Sequence, residues 1–199
     1  MDQPEQKTRT GLFPGSFNPV HIGHLIIAHH LLQYTDLEEI WFVISPHNPL
    51  KNSTELLPEK TRLELLKMAV EDQPGFSVCE RERSMERPSY TYKTLDVLKN
   101  EFPERDFVLI IGSDNLEVFD QWKAYKKILA ETDIYVYPRK GSPGSIFYNE
   151  QRVKAVEAPL VEISSTFIRE AFRKGLDPRY LLPERVYRQI IAKQYIPKV

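Results

Sequence analysis

The sequence predicts an α/β protein: a doubly wound sheet, mainly parallel, with helices on both faces. Three observations carry this expectation. Short apolar runs alternate with longer amphipathic segments along the chain, the pattern of strands joined by crossover helices. The run DFVLIIG at 106–112 is almost wholly apolar, as a central strand covered on both faces must be. At 199 residues, 41% hydrophobic and 28% charged, the chain can bury a sizeable core. A single domain over 1–199 is expected, with a helical part from about 164 to 199 packed on it.

The elements follow in order. TGLF (10–13) reads as the first strand and residues 22–34 as the first helix. EIWFVIS (39–45) is rich in β-formers and ends in the proline-bearing loop PHNPLKNSTELLP. Pro58 precedes leucines and a methionine at helical spacing, so EKTRLELLKM reads as a plain amphipathic helix with core leucines. GFSVCE is strand-like, with Cys79 expected to be buried and inert. RERSMER (81–87) reads as a solvated segment, and TYKTLDVLKNEF as the next helix. After DFVLIIG, WKAYKKILAE and DIYVYP repeat the helix–strand alternation. The tail offers the apolar run LVEIS, a helix over about 165–174, and a last helix after Pro183.

Composition narrows the function classes. A formal net charge of −1 gives no global field for nucleic acid, and no polybasic run suits a membrane surface. Any anion site must therefore be local. The single cysteine forbids an internal disulfide, and the first ten residues lack an apolar signal core. The expectation is a cytoplasmic protein.

In a doubly wound sheet, ligands bind beyond the carboxyl ends of strands, where loops lead into helices. That points to residues 14–23, 45–51 and 112–115, and to the turn at 163–166. The first of these lies in FPGSFNPVHIGHL. Gly15 and Gly23 let the backbone approach a ligand closely, and Asn18-Pro19 marks a turn. The helix that follows favours an anion at its start. His21 and His24 share one face there; as metal ligands they lack a third partner at familiar spacing, since His29 and His30 lie a turn or more away. No protein metal site is expected. Near the other end, ISSTFIRE (163–170) places Ser164, Ser165 and Thr166 at a helix start, with Arg169 at i, i+4 from Ser165. Hydroxyls, free amides and a guanidinium together make a phosphate site. Two such helix starts in one chain suggest a polyphosphate held between them.

GSFNPVHIGH resembles the (G/S/T)-F-(D/N)-P-x-H-x-G-H signature of the nucleotidyltransferase superfamily, and ISSTFIRE resembles its S-x-T-x-x-R signature. Over nearly the whole chain, including RPSYTYKTL, IIGSDNLEVFDQW and LLPERVYRQI, the sequence is similar to bacterial nicotinate-mononucleotide adenylyltransferases. The resemblance implies a Rossmann-like fold and adenylyl transfer from ATP to nicotinate mononucleotide, giving deamido-NAD and pyrophosphate. It implies that His21 and His24 stabilise charge at the α-phosphate, while Ser164, Thr166 and Arg169 hold the departing phosphates. Ser16 and Phe17 would supply backbone amides, with Asn18 where the family often has aspartate. Gly112 and Asp114 would border the adenosine. Tyr90, Thr91 and Trp122 would form the mononucleotide pocket, although Trp122 also fits core packing by its spacing to Tyr125, Ile128 and Leu129. Lys51 falls near a basic loop residue of the family, and Mg2+ would bridge the ATP phosphates.

The chain departs from the family pattern at three places. Pro14 replaces a glycine, which removes an amide donor and is expected to stiffen the turn. SPHNPLK lacks the usual PPHK ending, which weakens the assignment of His47 and Lys51. GSDN stands where the family varies. Two other functions share these features: adenylyl transfer to phosphopantetheine, and a catalytically silent nucleotide-binding regulator. The DQW segment and the chain length favour the pyridine nucleotide over the first; the presence of both histidines and Arg169 disfavours the second.

Overall fold

The computed structural model describes residues 7–46, 56–142 and 144–197. Its centre is a six-stranded sheet in the order β3-β2-β1-β4-β5-β6, with every neighbouring pair parallel. The strands are β1 (Thr8–Gly15), β2 (Glu39–Ile44), β3 (Phe76–Cys79), β4 (Arg105–Gly112), β5 (Asp133–Tyr137) and β6 (Val153–Ala155). The helices are α1 (Ile22–Tyr34), α2 (Glu59–Val70), α3 (Thr91–Glu101), α4 (Ser113–Glu117), α5 (Tyr125–Glu131), α6 (Ser165–Arg173) and α7 (Glu184–Lys193).

Strand periodicity divides the core into two layers. Phe13, Val108 and Ile110 face one way and pack with Ile27, Leu31, Leu65, Leu66, Ile168 and Val186 of α1, α2, α6 and α7. Their neighbours Leu12, Leu109 and Ile111 face the other way and pack with Leu95, Leu98, Phe119 and Ile128. Every central strand is thus buried on both faces, which is why β4 carries no polar residue between Phe107 and Gly112. The order of the sheet reverses direction between β1 and β4. Chain leaving those two strands diverges to opposite faces and opens a crevice at their carboxyl ends.

Four sequence expectations need correction. The sixth strand is Val153–Ala155, whereas LVEIS is irregular: Val161 and Ile163 pack against the core from a loop. The helix read into WKAYKKILAE begins only at Tyr125, because Ala124 ahead of it adopts a left-handed backbone with φ of 57°. Pro14 lies within β1, paired in register with Val43, and stiffens no turn. Arg9 and Gly15 direct their carbonyls to β2, accepting from Glu38 and Ser45, so even-numbered residues face β4. Pairing of β1 with β4 ends at Leu12, so the missing Pro14 amide costs the ladder nothing. Lastly, RERSMER is not wholly solvated, since Glu82 within it is buried. Cys79 is buried as expected, and among the described residues no helix is long and apolar enough to cross a membrane.

Candidate active site

A cavity of about 950 Å³ opens at the carboxyl ends of β1 and β4, a size suited to a ligand larger than a single nucleotide. Its floor is the segment joining β1 to α1. Phe17 takes a left-handed backbone with φ of 44° and buries its ring. That ring lies over Gly15, where a Cβ would stand 2.8 Å from Phe17 Cζ. Only glycine leaves room for this turn. Gly23 is constrained likewise, its absent Cβ lying 2.9 Å from Val161 Cγ1 and 3.0 Å from His21 Nδ1.

His21 caps α1 and stacks on His24, with ring centroids 3.7 Å apart. The other side of His24 meets Phe17 edge-on at 5.0 Å. The His21 amide donates to His24 Nδ1 at 3.2 Å. A ring nitrogen that accepts from an amide carries no proton, so neutral His24 holds its proton on Nε2. His21 is buried, and burial together with the positive charge of Arg139 lowers its pKa to about 3. At neutral pH it is an uncharged imidazole at a helix start.

The opposite wall is the start of α6. Ser164 caps it, its hydroxyl accepting from the Phe167 amide at 3.1 Å. Two long-range bonds fasten this wall to the floor. Ser165 Oγ donates to the Pro19 carbonyl at 2.9 Å, and buried Arg169 donates through Nη1 to the Asn18 carbonyl at 2.9 Å. Asn18 in turn accepts through Oδ1 from the Leu57 amide at 2.9 Å. Beyond β4, Gly112 leaves space that a Cβ would contest with Asp114 Oδ1 at 2.4 Å. The Ser113 hydroxyl accepts from the Arg139 amide at 2.9 Å, and the Arg139 guanidinium reaches to 3.8 Å from Asp114. At the far end, Tyr90 caps α3, Lys123 lies 4.6 Å over the Tyr90 ring, and Trp122 packs on Phe119 at 5.2 Å. Burial raises the pKa of Glu82, which accepts from Ser89 Oγ at 2.8 Å and Thr94 Oγ1 at 2.9 Å. It pins the segment before Thr91 to the body of α3.

The cytidylyltransferase-like family profile matches residues 12–171. A Bacteroides fragilis protein named "Probable nicotinate-nucleotide adenylyltransferase" is 50% identical over 187 residues, covering 94% of this chain and 93% of its own. A Porphyromonas gingivalis protein of the same name is 42% identical, covering 92% and 93%. The chain belongs to the nicotinate-nucleotide adenylyltransferases of this family. The fold agrees. The solved Plasmodium falciparum nicotinic acid mononucleotide adenylyltransferase, complexed with NaAD, superposes with a TM-score of 0.79 at 18% identity, covering 94% of this chain and 97% of that one.

Of the residues singled out from sequence, one cavity gathers Gly15, Ser16, Phe17, Asn18, His21, Gly23, His24, Tyr90, Thr91, Gly112, Asp114, Trp122, Ser164, Ser165, Thr166 and Arg169. His47 and Lys51 lie outside the described residues. His30 stacks on Tyr34, away from the cavity. Trp122 follows a 3-10 turn, its ring tilted against core residue Phe119, and it also lines the cavity. Three charged residues that line the cavity, Glu82, Lys123 and Arg139, were missed, as was buried Arg62, which bonds to the Ser16 carbonyl. Arg139 follows DIYVYP and could have been found as a cation just past a strand's carboxyl end. Glu82 and Arg62 carry no local signal, because each is buried by partners distant in sequence.

Proposed function

We propose that this chain transfers the adenylyl group of ATP to nicotinate mononucleotide, releasing pyrophosphate and forming deamido-NAD, as a single nucleotidyltransferase domain spanning 1–199 in the cytoplasm. The observation that carries the proposal is the closure of the floor onto the α6 wall, by bonds between residues 146 and 151 positions apart in sequence. That closure puts two helix starts, two histidines and Arg169 around one volume. Family membership supports the same reaction.

The chemistry needs no protein nucleophile. An oxygen of the mononucleotide phosphate attacks the α-phosphorus in line, and the bond to the departing pyrophosphate oxygen breaks. The protein contributes alignment and stabilisation of the developing charge. His24, with its proton on Nε2, donates to an α-phosphate oxygen alongside His21. Arg169, Ser164, Thr166 and the free amides at the start of α6 receive the β- and γ-phosphates, together with Arg139. Gly15, Ser16, Phe17 and Asn18 shape the loop against the triphosphate, Gly23 keeps α1 close, and Ser165 fastens the two walls. Gly112 and Asp114 border the adenosine, with the Asp114 carboxylate placed to accept from a ribose hydroxyl. Tyr90, Thr91 and Trp122 receive the pyridine end, the indole stacking on the ring.

Magnesium fits as part of the substrate. Among the described residues no group of three histidine, cysteine or carboxylate side chains could cage a metal, and a hard cation sits well on phosphate oxygens. When bound there it would offset the charge of the triphosphate. Steady-state pyrophosphate release from ATP with nicotinate and nicotinamide mononucleotides, run side by side, tests the assignment. A higher kcat/KM with the nicotinate form is expected. Turnover with neither acceptor, despite ATP binding, would overturn it.

A further inference from the structure

Arg62 of α2 is 1% exposed, yet its guanidinium bonds to four backbone carbonyls in three separate stretches of chain. Nε donates to Leu57 at 3.1 Å, and Nη2 to Pro46 at 2.9 Å. Nη1 donates to Ser16 at 2.6 Å and to Ser45 at 3.0 Å. These carbonyls follow β1, follow β2 and precede α2, so one side chain ties together the loops on two adjacent strands. A buried charge is costly unless its donors are satisfied. Satisfaction by carbonyls, unlike pairing with a carboxylate, leaves the positive charge in place.

The Ser16 bond has a consequence for the site. In a trans peptide the carbonyl and the next residue's amide point in opposite directions. Holding the Ser16 carbonyl toward the protein interior turns the Phe17 amide the other way, and both residues line the cavity. The left-handed backbone of Phe17 is strained for a residue with a side chain. A fixed anchor immediately ahead of it keeps that conformation.

We propose that Arg62 is a positioning residue for the triphosphate subsite: it sets the Ser16–Phe17 peptide so that the Phe17 amide faces the phosphates, and places a positive charge beneath them. This rests on the reading of the cavity as a triphosphate site, but not on which mononucleotide is the acceptor. The test therefore uses inorganic triphosphate, titrated by calorimetry into wild type, Arg62→Met, Arg62→Lys and Leu66→Ala. Leu66 is fully buried in the same helix and does not line the cavity. It controls for loss of helix packing.

Arg62→Met is expected to bind triphosphate at least about tenfold more weakly than wild type. Leu66→Ala, although lowered in Tm, should bind as wild type does. In turnover, Arg62→Met should lose kcat and affinity for ATP, while the KM for the mononucleotide stays within about twofold. Arg62→Lys, which keeps the charge but not the planar fork, is expected to fall between Arg62→Met and wild type. If Arg62→Met does not fold, Arg62→Lys decides alone: affinity at least about threefold weaker upholds the proposal, and wild-type affinity overturns it. Folded Arg62→Met with wild-type triphosphate affinity, or Leu66→Ala weakened as much as Arg62→Met, also overturns it. Wild type that binds triphosphate but turns over no mononucleotide would refute the proposed reaction and leave this test standing.

Discussion

The two ends of the sheet handle arginine in opposite ways. At the amino ends of the strands, Arg9 sits among Asp36, Asp106 and Asp133, and Arg105 pairs with Glu39. Arg152 adds a second cation to Asp133 at 2.9 Å. Each of these arginines is met there by at least one carboxylate. At the carboxyl ends, Arg62 and Arg169 donate to the carbonyls of Ser16, Ser45, Pro46, Leu57 and Asn18. Those bonds run to neutral carbonyl oxygens and hold loops in place. One set of arginines fastens strand ends through carboxylates, and the other fastens the cavity floor through backbone carbonyls. A residue type by itself therefore says little; what matters is whether an arginine's partners carry charge.

The largest expected effect at the carboxyl end comes from the histidine that meets the reacting phosphorus. His24→Ala should lower kcat by about 10²–10³-fold, the cost of removing one oriented donor from developing charge, while the KM for ATP changes little. Stopped-flow measurement of pyrophosphate release would read it. Unchanged turnover would remove His24 from its assigned role.

A smaller effect concerns stability. The folded protein holds His21 at about 3, whereas an exposed imidazole titrates near 6.5. Between those values the unfolded chain keeps a proton that the folded one gives up. His21 therefore costs no stability above about pH 6.5, and it lowers stability progressively as the pH falls below that value. The urea midpoint should drop more steeply between about pH 7 and pH 4 in wild type than in His21→Gln. Parallel curves would show that His21 titrates normally in the folded state.

Much of this contrast was readable before folding. GSFNPVHIGH and ISSTFIRE name their chemistry locally, because a turn and a helix start need particular residues in sequence. The alternation around DFVLIIG likewise announces a parallel sheet. What escaped was everything decided by distant partners. EKTRLELLKM looks like any amphipathic helix until Arg62 is seen to reach the ends of β1 and β2. RERSMER looks solvated until Ser89 and Thr94 close over Glu82. Pro14 looked like a stiffened turn because the register that places it in β1 is a property of the sheet. The span of three residues in β6 is too short to carry a pattern.

The contrast between the two ends is tested most directly by titrating inorganic triphosphate into Arg139→Ala and Arg9→Met over a range of ionic strengths. Arg139→Ala should bind about tenfold more weakly than wild type and with a shallower salt dependence, since it removes a cation from the anion's own site. Arg9→Met should melt earlier yet bind within about twofold of wild type with the same salt dependence. Equal weakening in both variants, or wild-type binding by Arg139→Ala, would contradict the assignment of the anion site to the carboxyl end of the sheet.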